Sequence, residues 1–349
     1  MDCEPACGDP TLGLPCAHGG PVLCGALRAV PEDFLVTEQL GYLASGDGEH
    51  VFLTVRKRER NTHEVARALA MLAGVAQVAE GDAGLKDRHA VATQHFTVQL
   101  PGRDAPDWSA LEDDTLQVIA VERHRRKIRR GSLKGNRFEI RVRDVQGDRA
   151  MAEQRLKTIA QQGVPNYFGG QRFGRQGKNL QRVADLFGDR GPRPNREQRG
   201  LLLSAARAQL FNKVLESRVR DGSWRIAIPG DVMLLAGSQR QFHFDDADPT
   251  VPSRLAALDI HPSGPLCGRL GRALQPTDVA QRTEANALAG WRDWVVALDR
   301  LGLDADRRAL RLAVEDLEWQ WEGDTLLLRF GLGAGSFATV VLRELVREG

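Results

Sequence analysis

Runs of alternating hydrophobic residues stand at both ends of this chain, with a helical stretch between them. Near the start, "DFLVTEQL" alternates with period two and puts Phe34 and Val36 on one face. "VFLTVRKRER" alternates through Val51, Leu53 and Val55 and ends in basic residues. "HFTVQL" and "RFEIRVRDV" predict two more strands, the second with Phe138, Ile140 and Val142 on a shared face. Near the end, "RLAVEDLEW" and "TLLLRFGL" bring strands back. In the middle, "GLLLSAARAQLFNKVLESRVRDG" is an amphipathic helix with a Leu203, Ala206, Leu210, Val214, Leu215 stripe and a stop at Gly222. The early strands are not separated by regular helices, which argues against a doubly wound parallel sheet. An α+β fold with a mixed or antiparallel sheet is expected, one domain being interrupted by another.

Local signals fill in the rest. "NTHEVARALAMLAGV" reads as a helix capped by Asn61, with Glu64 reaching back and Val65, Leu69, Leu72 and Ala73 as its apolar stripe. A helix over 151–162 is stopped by Gly163. "GDVMLLAG" is a short strand, "VPSRLAALDIHPSGPLCG" a loop-rich stretch, and "DVAQRTEANALAGWRDWVVALDRLG" helical. The final helix is expected to start at Ser336, a good N-cap.

The 349 residues allow one large core or two moderate ones, and 42% hydrophobic residues exclude wholesale disorder. No apolar run approaches the ~18 residues a membrane span needs. "MDCEPACGDP" has acidic residues and no basic n-region, so a cytoplasmic protein is expected. Four of the five cysteines (Cys3, Cys7, Cys16, Cys24) lie in the first 24 residues, which read as a flexible Cys/Gly/Pro-rich tail of free thiols. Without a Cys-x-x-Cys pair, no metal site is expected. "GLGAGSFATVVLRE" looks like a kinase glycine-rich loop, but a kinase places its lysine and catalytic aspartates downstream. Five residues follow Glu344, so chain order argues for a turn feeding a helix.

Net charge is only +2, so its distribution carries the information. From Arg123 to Arg137 eight of fifteen residues are Arg or Lys and none is acidic. Such a run repels itself unless an anion faces it, and nucleic-acid phosphate is the usual partner. Arg123, Arg125, Arg126, Lys127, Arg129, Arg130 and Lys134 are the candidate RNA contacts, with a solvated face as the bland reading. Nearby aromatics Tyr167, Phe168 and Phe173 suit either base stacking or a core.

"AGLKDRHAVATQHF" forms a turn between helix and strand, where catalytic side chains are often presented. Lys86 and Arg88 flank Asp87 and favour its ionised form, which could serve as nucleophile or general base. From spacing alone, a surface turn with salt bridges fits as well. His89 is a further possible base; the other histidines are scattered singly. No phosphate loop or dinucleotide motif follows a strand, so an enzyme here is expected to need no cofactor.

"GLKDRHAVATQHF" resembles the signature of the TruD family of tRNA pseudouridine synthases. "PEDFLVTE", "SLKGNRF", "GVPNYFGGQRFG", "LSAARAQLFN" and "AGSFATVVLREL" resemble other segments of that family, in the same order. The resemblance implies isomerisation of a tRNA uridine, typically position 13, without cofactor or metal. It implies Asp87 as the catalytic residue, a uridine pocket of Phe34, Asn136 and Phe337, and Phe138 beside the catalytic centre. It implies a catalytic domain split between 25–161 and 309–349, with an inserted α/β TRUD domain at 162–308. The partner expected is tRNA, with no membrane and no obligatory protein partner, in a monomer. Arg28 stands where the family has lysine, and 238–258 shows no match. The rival expectation is a non-catalytic RNA-binding protein using the 123–137 stripe, which leaves Asp87 without a task.

Overall fold

The computed structural model of the protein describes residues 10–76, 80–129 and 131–348; Cys3, Cys7 and Arg130 lie outside the described residues. The chain opens with strands β1 (Leu23–Leu27), β2 (Phe34–Leu40) and β3 (His50–Arg58), then helix α1 (Thr62–Leu72). Strands β4 (Glu80–Asp82), β5 (Val91–Gln99), β6 (Leu116–His124) and β7 (Leu133–Gly147) follow. The middle runs through α2 (Arg149–Gln162), β8 (Val164–Pro165), α3 (Lys178–Phe187), α4 (Arg196–Arg220), β9 (Val232–Leu235) and β10 (Gln241–His243). It continues through α5 (Val251–Ala256), β11 (Ile260–Leu266), α6 (Asp278–Ala287), α7 (Arg292–Arg300), β12 (Asp306–Ala309) and β13 (Arg311–Leu312). Last come β14 (Glu315–Glu322), β15 (Thr325–Gly333), α8 (Ala338–Leu342) and β16 (Val346–Glu348).

Two compact units result. One, the sheet unit, comprises Leu23–Arg149, Val314–Gly335 and the residues from Val346 on. The other, the helical unit, comprises Ala150–Ala313, Ser336–Leu345 and the residues up to Val22.

The sheet unit is built on a ten-stranded sheet whose main path runs β14-β15-β7-β2-β5-β3-β6. The β2–β5 and β1–β16 pairs are parallel and the others antiparallel, so the sheet is mixed, as the strand spacing predicted. β7 is the axis. One edge takes β2 over residues 133–140 and then β1 over 142–147; the other edge takes β15 over 135–142. Alternation explains its burial: Phe138, Ile140 and Val142 are all buried. Helix α1 covers the sheet with Val65, Ala66 and Leu69, packed on Val51, Leu53, Val55, Phe96 and Val98. Its start is fixed by the capping box read from sequence: the Asn61 backbone N–H donates to Glu64 Oε2 at 2.9 Å. Caps of this kind contribute about 1 kcal/mol.

In the helical unit, α4 is the central helix, and its stripe residues Leu203, Ala206, Leu210, Val214 and Leu215 are all buried. Beside it lies a four-stranded sheet ordered β10-β9-β11-β12.

Four expectations need correction. Residues 10–24 are not a tail throughout. Leu14 is buried, the backbone N–H groups of Ala17 and His18 donate to the Glu344 carboxylate, and Leu23 and Cys24 already belong to β1. The "VPSRLAALDIHPSGPLCG" stretch contains helix α5 and strand β11. Pro262 and Pro265 hide that strand in the sequence. It tolerates them by changing neighbours midway, from β9 at residues 260–262 to β12 at 263–266. The helix expected over 278–302 is two, α6 and α7, separated by a 3-10 turn at Ala289–Trp291. The last helix has Phe337, not Ser336, at its N-cap and is five residues long.

Candidate active site

Asp87 lies in the loop between β4 and β5, and side chains from three neighbouring elements pin that loop residue by residue. Gln94 on β5 donates from Nε2 to the Gly84 carbonyl at 2.6 Å. The Lys86 N–H donates to Thr62 Oγ1 at 3.1 Å, and Thr62 Oγ1 in turn donates to Gln94 Oε1 at 3.1 Å. Lys57 on β3 donates from Nζ to the Asp87 carbonyl at 2.9 Å and to the Arg60 carbonyl at 2.7 Å. Arg88 Nε donates to the Glu59 carbonyl at 3.2 Å. Thr62, Gln94 and Lys57 are buried, so these bonds compete little with water.

The Asp87 side chain stays 31% exposed. Its Oδ1 accepts from the His89 N–H at 3.0 Å, and its Oδ2 lies 3.4 Å from Arg28 Nη2. The Arg28 guanidinium also covers the Phe34 ring, 4.5 Å from its centroid. Phe34 meets Phe138 edge to face at 6.1 Å, and Phe138 stacks on Phe330 at 5.4 Å. Strand register then places Asn136 next to Phe138 on the same face of β7. Asn136 is buried, and its Oδ1 accepts no hydrogen bond among the described residues. A buried acceptor left open costs free energy unless a ligand satisfies it.

Electrostatically the loop differs from its sequence reading. Lys86 and Arg88 flank Asp87 in sequence but do not face its carboxylate. Lys86 donates to Glu38 Oε1 at 2.5 Å instead. Glu38 is fully buried, and the His95 N–H donates to its Oε2 at 2.9 Å. Burial pushes the Glu38 carboxyl up, but the hydrogen bond from His95 and the Lys86 charge together hold it below the usual carboxylate range. The cations near Asp87 are Arg28 at its carboxylate and Lys57 beneath its backbone. Burial brings the Lys57 ammonium down to about 8, against the opposing pull of the Asp87 charge. Lys86 lowers it further and Glu64 raises it.

Lys57 therefore binds its proton less tightly folded than unfolded. Between pH 8 and 10.5 the unfolded chain holds more protons, so this residue's contribution to stability rises across that window and is lost as pH falls through 8. Denaturant melts of wild type and Lys57→Met at pH 7, 9 and 10.5 should diverge, wild type gaining about 3 kcal/mol at most relative to the variant. A pH-independent difference would show that Lys57 titrates normally.

The structure thus brings Asp87, Phe34, Phe138 and Asn136 together within the sheet unit. Phe337 belongs to the helical unit, where its ring lies 6.4 Å from that of Phe168. Tyr167, Phe168 and Phe173 are core residues there. Thr62 and Gln94 were not picked out from sequence, and Lys57 was read only as one of a basic group with Arg56, Arg58 and Arg60. The available signal was Lys57's place on the inward alternation of Val51, Leu53 and Val55.

The basic stripe is partly neutralised from within. Arg125 pairs with Asp47 through Nε at 2.8 Å and Nη2 at 2.8 Å, and Arg137 with Asp316 at 3.1 Å. Arg123, at the end of β6, donates from Nη2 to the Arg103 carbonyl at 3.2 Å. Ile128 is buried and tethers the segment through its N–H to Thr97 Oγ1 at 3.0 Å. Lys127 is half-buried, whereas Arg126, Arg129 and Lys134 are exposed. Tyr42 stacks on His124 beside them, at 5.4 Å between centroids.

Comparison with known proteins bears on this arrangement. A family model described as tRNA pseudouridine synthase D (TruD) matches residues 17–188 and 194–345. The tRNA pseudouridine synthase D of Methylococcus capsulatus is 48% identical over 334 residues, covering 95% of this chain and 94% of that protein. That of Xanthomonas axonopodis pv. citri is 47% identical over 348 residues, with the same shares covered. A crystal structure assigned to tRNA pseudouridine synthase D of Methanosarcina mazei superposes with a TM-score of 0.70 over 95% of each chain. At 21% identity that likeness speaks to the fold.

Proposed function

The chain belongs to the tRNA pseudouridine synthase D (TruD) family of isomerases, and we propose that it converts uridine 13 of tRNA to pseudouridine through Asp87, without a cofactor. The observation that carries the Asp87 assignment is its carboxylate: part-exposed, on a pinned loop, and joined by Arg28 to the Phe34 ring. The reaction breaks the bond from ribose C1′ to uracil N1, turns the base, and joins C1′ to C5. A proton leaves C5 and one is taken up at N1, so composition is unchanged. Asp87 either adds covalently to the nucleoside or removes a ribose proton; both routes begin from the ionised carboxylate.

The base must leave its stack to reach that carboxylate. Phe34, with Phe138 supporting it, offers an apolar face to a flat, neutral uracil, and the family resemblance adds Phe337 to the residues proposed to bind the uridine. The open acceptor of Asn136, with its amide donors, suits a uracil edge. Residues 162–308 form the TRUD-specific insertion, and the protein acts as a monomer in the cytoplasm, with tRNA as its partner. Among the described residues no helix is long and apolar enough to cross a membrane.

The test is tritium release from tRNA carrying 5-tritiated uridine, with mapping of the pseudouridine formed. Release with product at position 13 supports the reading. Binding without release would leave the non-catalytic RNA-binding alternative. The exposed part of the stripe supports a path for tRNA phosphates. Replacing Arg125, Arg126 and Lys127 with Ala should weaken tRNA binding and flatten its salt dependence by roughly one logarithmic unit per lost phosphate contact. Arg126 should contribute more than Arg125, which Asp47 already occupies. Unchanged affinity at every salt concentration would move the RNA path elsewhere.

A further inference from the structure

The helical unit carries a cationic site that the chemistry at Asp87 does not use. Arg172 follows the Gly169 turn in a 3-10 helix (Gly170–Phe173) and is half-buried. Its Nη1 donates to the Ser204 hydroxyl at 3.2 Å, while its Nε is buried and has no acceptor among the described residues. No carboxylate among the described residues forms an ion pair with it. Burial alone pulls its guanidinium below the ordinary arginine range.

A second guanidinium makes the environment more positive. Arg308 stacks over the Phe168 ring at 4.2 Å and donates from Nη2 to Asn166 Oδ1 at 2.5 Å. Burial and then the charge of Arg172 bring its guanidinium down to about 9. The charge of Arg172 is thus felt at Arg308, and the two add to the positive potential there. The Arg172 guanidinium also lies 5.6 Å from the Phe168 ring and 6.0 Å from the Phe337 ring. A β-carbon at Gly169 would stand 3.7 Å from Phe337 Cγ, so the Arg172 turn packs directly on that phenylalanine.

We propose that Arg172, supported by Arg308, is a binding site for an RNA phosphodiester next to the target uridine, and so holds the backbone while Phe337 receives the base. The location beside the target rests on the assignment of Phe337 to the uridine pocket; the anion site rests on Arg172 itself. The part-exposed guanidinium of Arg172 is a charged, planar donor of the kind that matches phosphate oxygens, and it lies beside the Phe168 and Phe337 rings.

The experiment pairs protein variants with backbone-neutralised RNA. Full-length tRNA is prepared with a single methylphosphonate at each phosphate within two nucleotides of position 13, and affinity is measured for wild type, Arg172→Gln and Arg172→Lys. Arg172→Gln should bind unmodified tRNA about ten-fold more weakly, the scale of one charge-assisted contact. One methylphosphonate should weaken wild type by a similar factor and leave Arg172→Gln unaffected. Arg172→Lys should recover part of the affinity. The proposal fails if no methylphosphonate in that window weakens wild type, a result that needs no variant to fold. It fails equally if the sensitive position weakens Arg172→Gln as much as wild type. Mapping of pseudouridine is scored separately. Coupling between Arg172 and a phosphate without any pseudouridine would overturn the catalytic reading while leaving this site standing.

Discussion

Asp87→Asn should abolish tritium release from 5-tritiated tRNA while leaving tRNA affinity within about three-fold of wild type. The substitution is nearly isosteric, and the new amide oxygen can still accept from the His89 N–H, so the loop keeps its shape. The backbone bonds from Lys57, Thr62, Gln94 and Arg88 do not involve the Asp87 side chain and persist. What disappears is the negative charge facing Arg28 at 3.4 Å and the oxygen able to attack carbon or take a proton. Losing a group that acts directly in bond-breaking costs about 10⁴-fold or more in rate. Single-turnover release at saturating enzyme isolates that step from binding, and filter binding measures affinity on the same preparations. Normal turnover by the variant would remove Asp87 from the chemistry altogether.

Asp231→Ala should cost about 3–5 kcal/mol of stability, the largest effect expected for a single change remote from Asp87. Arg218 on α4 and Asp231 ahead of β9 have side chains only 2% and 1% exposed. They form a two-pronged pair, Nη1 to Oδ1 and Nη2 to Oδ2, each at 2.9 Å. Arg218 also donates to the carbonyls of Ser223 and Ile226, and Asp231 accepts from the Ile228 N–H at 2.9 Å. The pair thus ties the end of α4 to the turn that follows it. Removing the carboxylate strands a guanidinium in the interior with its charge uncompensated. Calorimetry should show a transition lowered by about 10 °C. Arg218→Met combined with Asp231→Leu should recover much of the loss, because two apolar side chains leave no orphaned charge. A melt of Asp231→Ala within 1 °C of wild type would show that the Arg218 charge finds water or another partner.

Local features were legible in the sequence and non-local ones were not. The Asn61–Glu64 cap and the β7 face of Phe138, Ile140 and Val142 depend on residues close along the chain. Asp87 was legible as a candidate because its segment resembles a known signature, yet its electrostatic setting was misread. Lys86 and Arg88 adjoin it in sequence, but Arg28 comes to it from just beyond β1 and Lys57 from β3. The basic stripe looked unopposed because Asp47 and Asp316 are distant in sequence. Strand β11 was missed because its prolines read as breakers, and only the exchange of neighbours at Ser263 explains their tolerance. Residues 14–22 looked like tail because their hydrogen-bond partner, Glu344, lies near the opposite end of the sequence.

The axial position of β7 has a consequence for synthesis on the ribosome. Its β2 neighbour emerges before it, but β15, which pairs Phe330 with Phe138 and Leu332 with Asn136, is translated much later. At ordinary elongation rates the intervening stretch of roughly 190 residues takes about 10–40 s. Throughout that interval the nascent polypeptide carries an unpaired strand border along β7, open to pairing with a neighbouring nascent chain. Completion of the sheet around β7 is therefore a late event in the life of each molecule, waiting until residue 333 has been made.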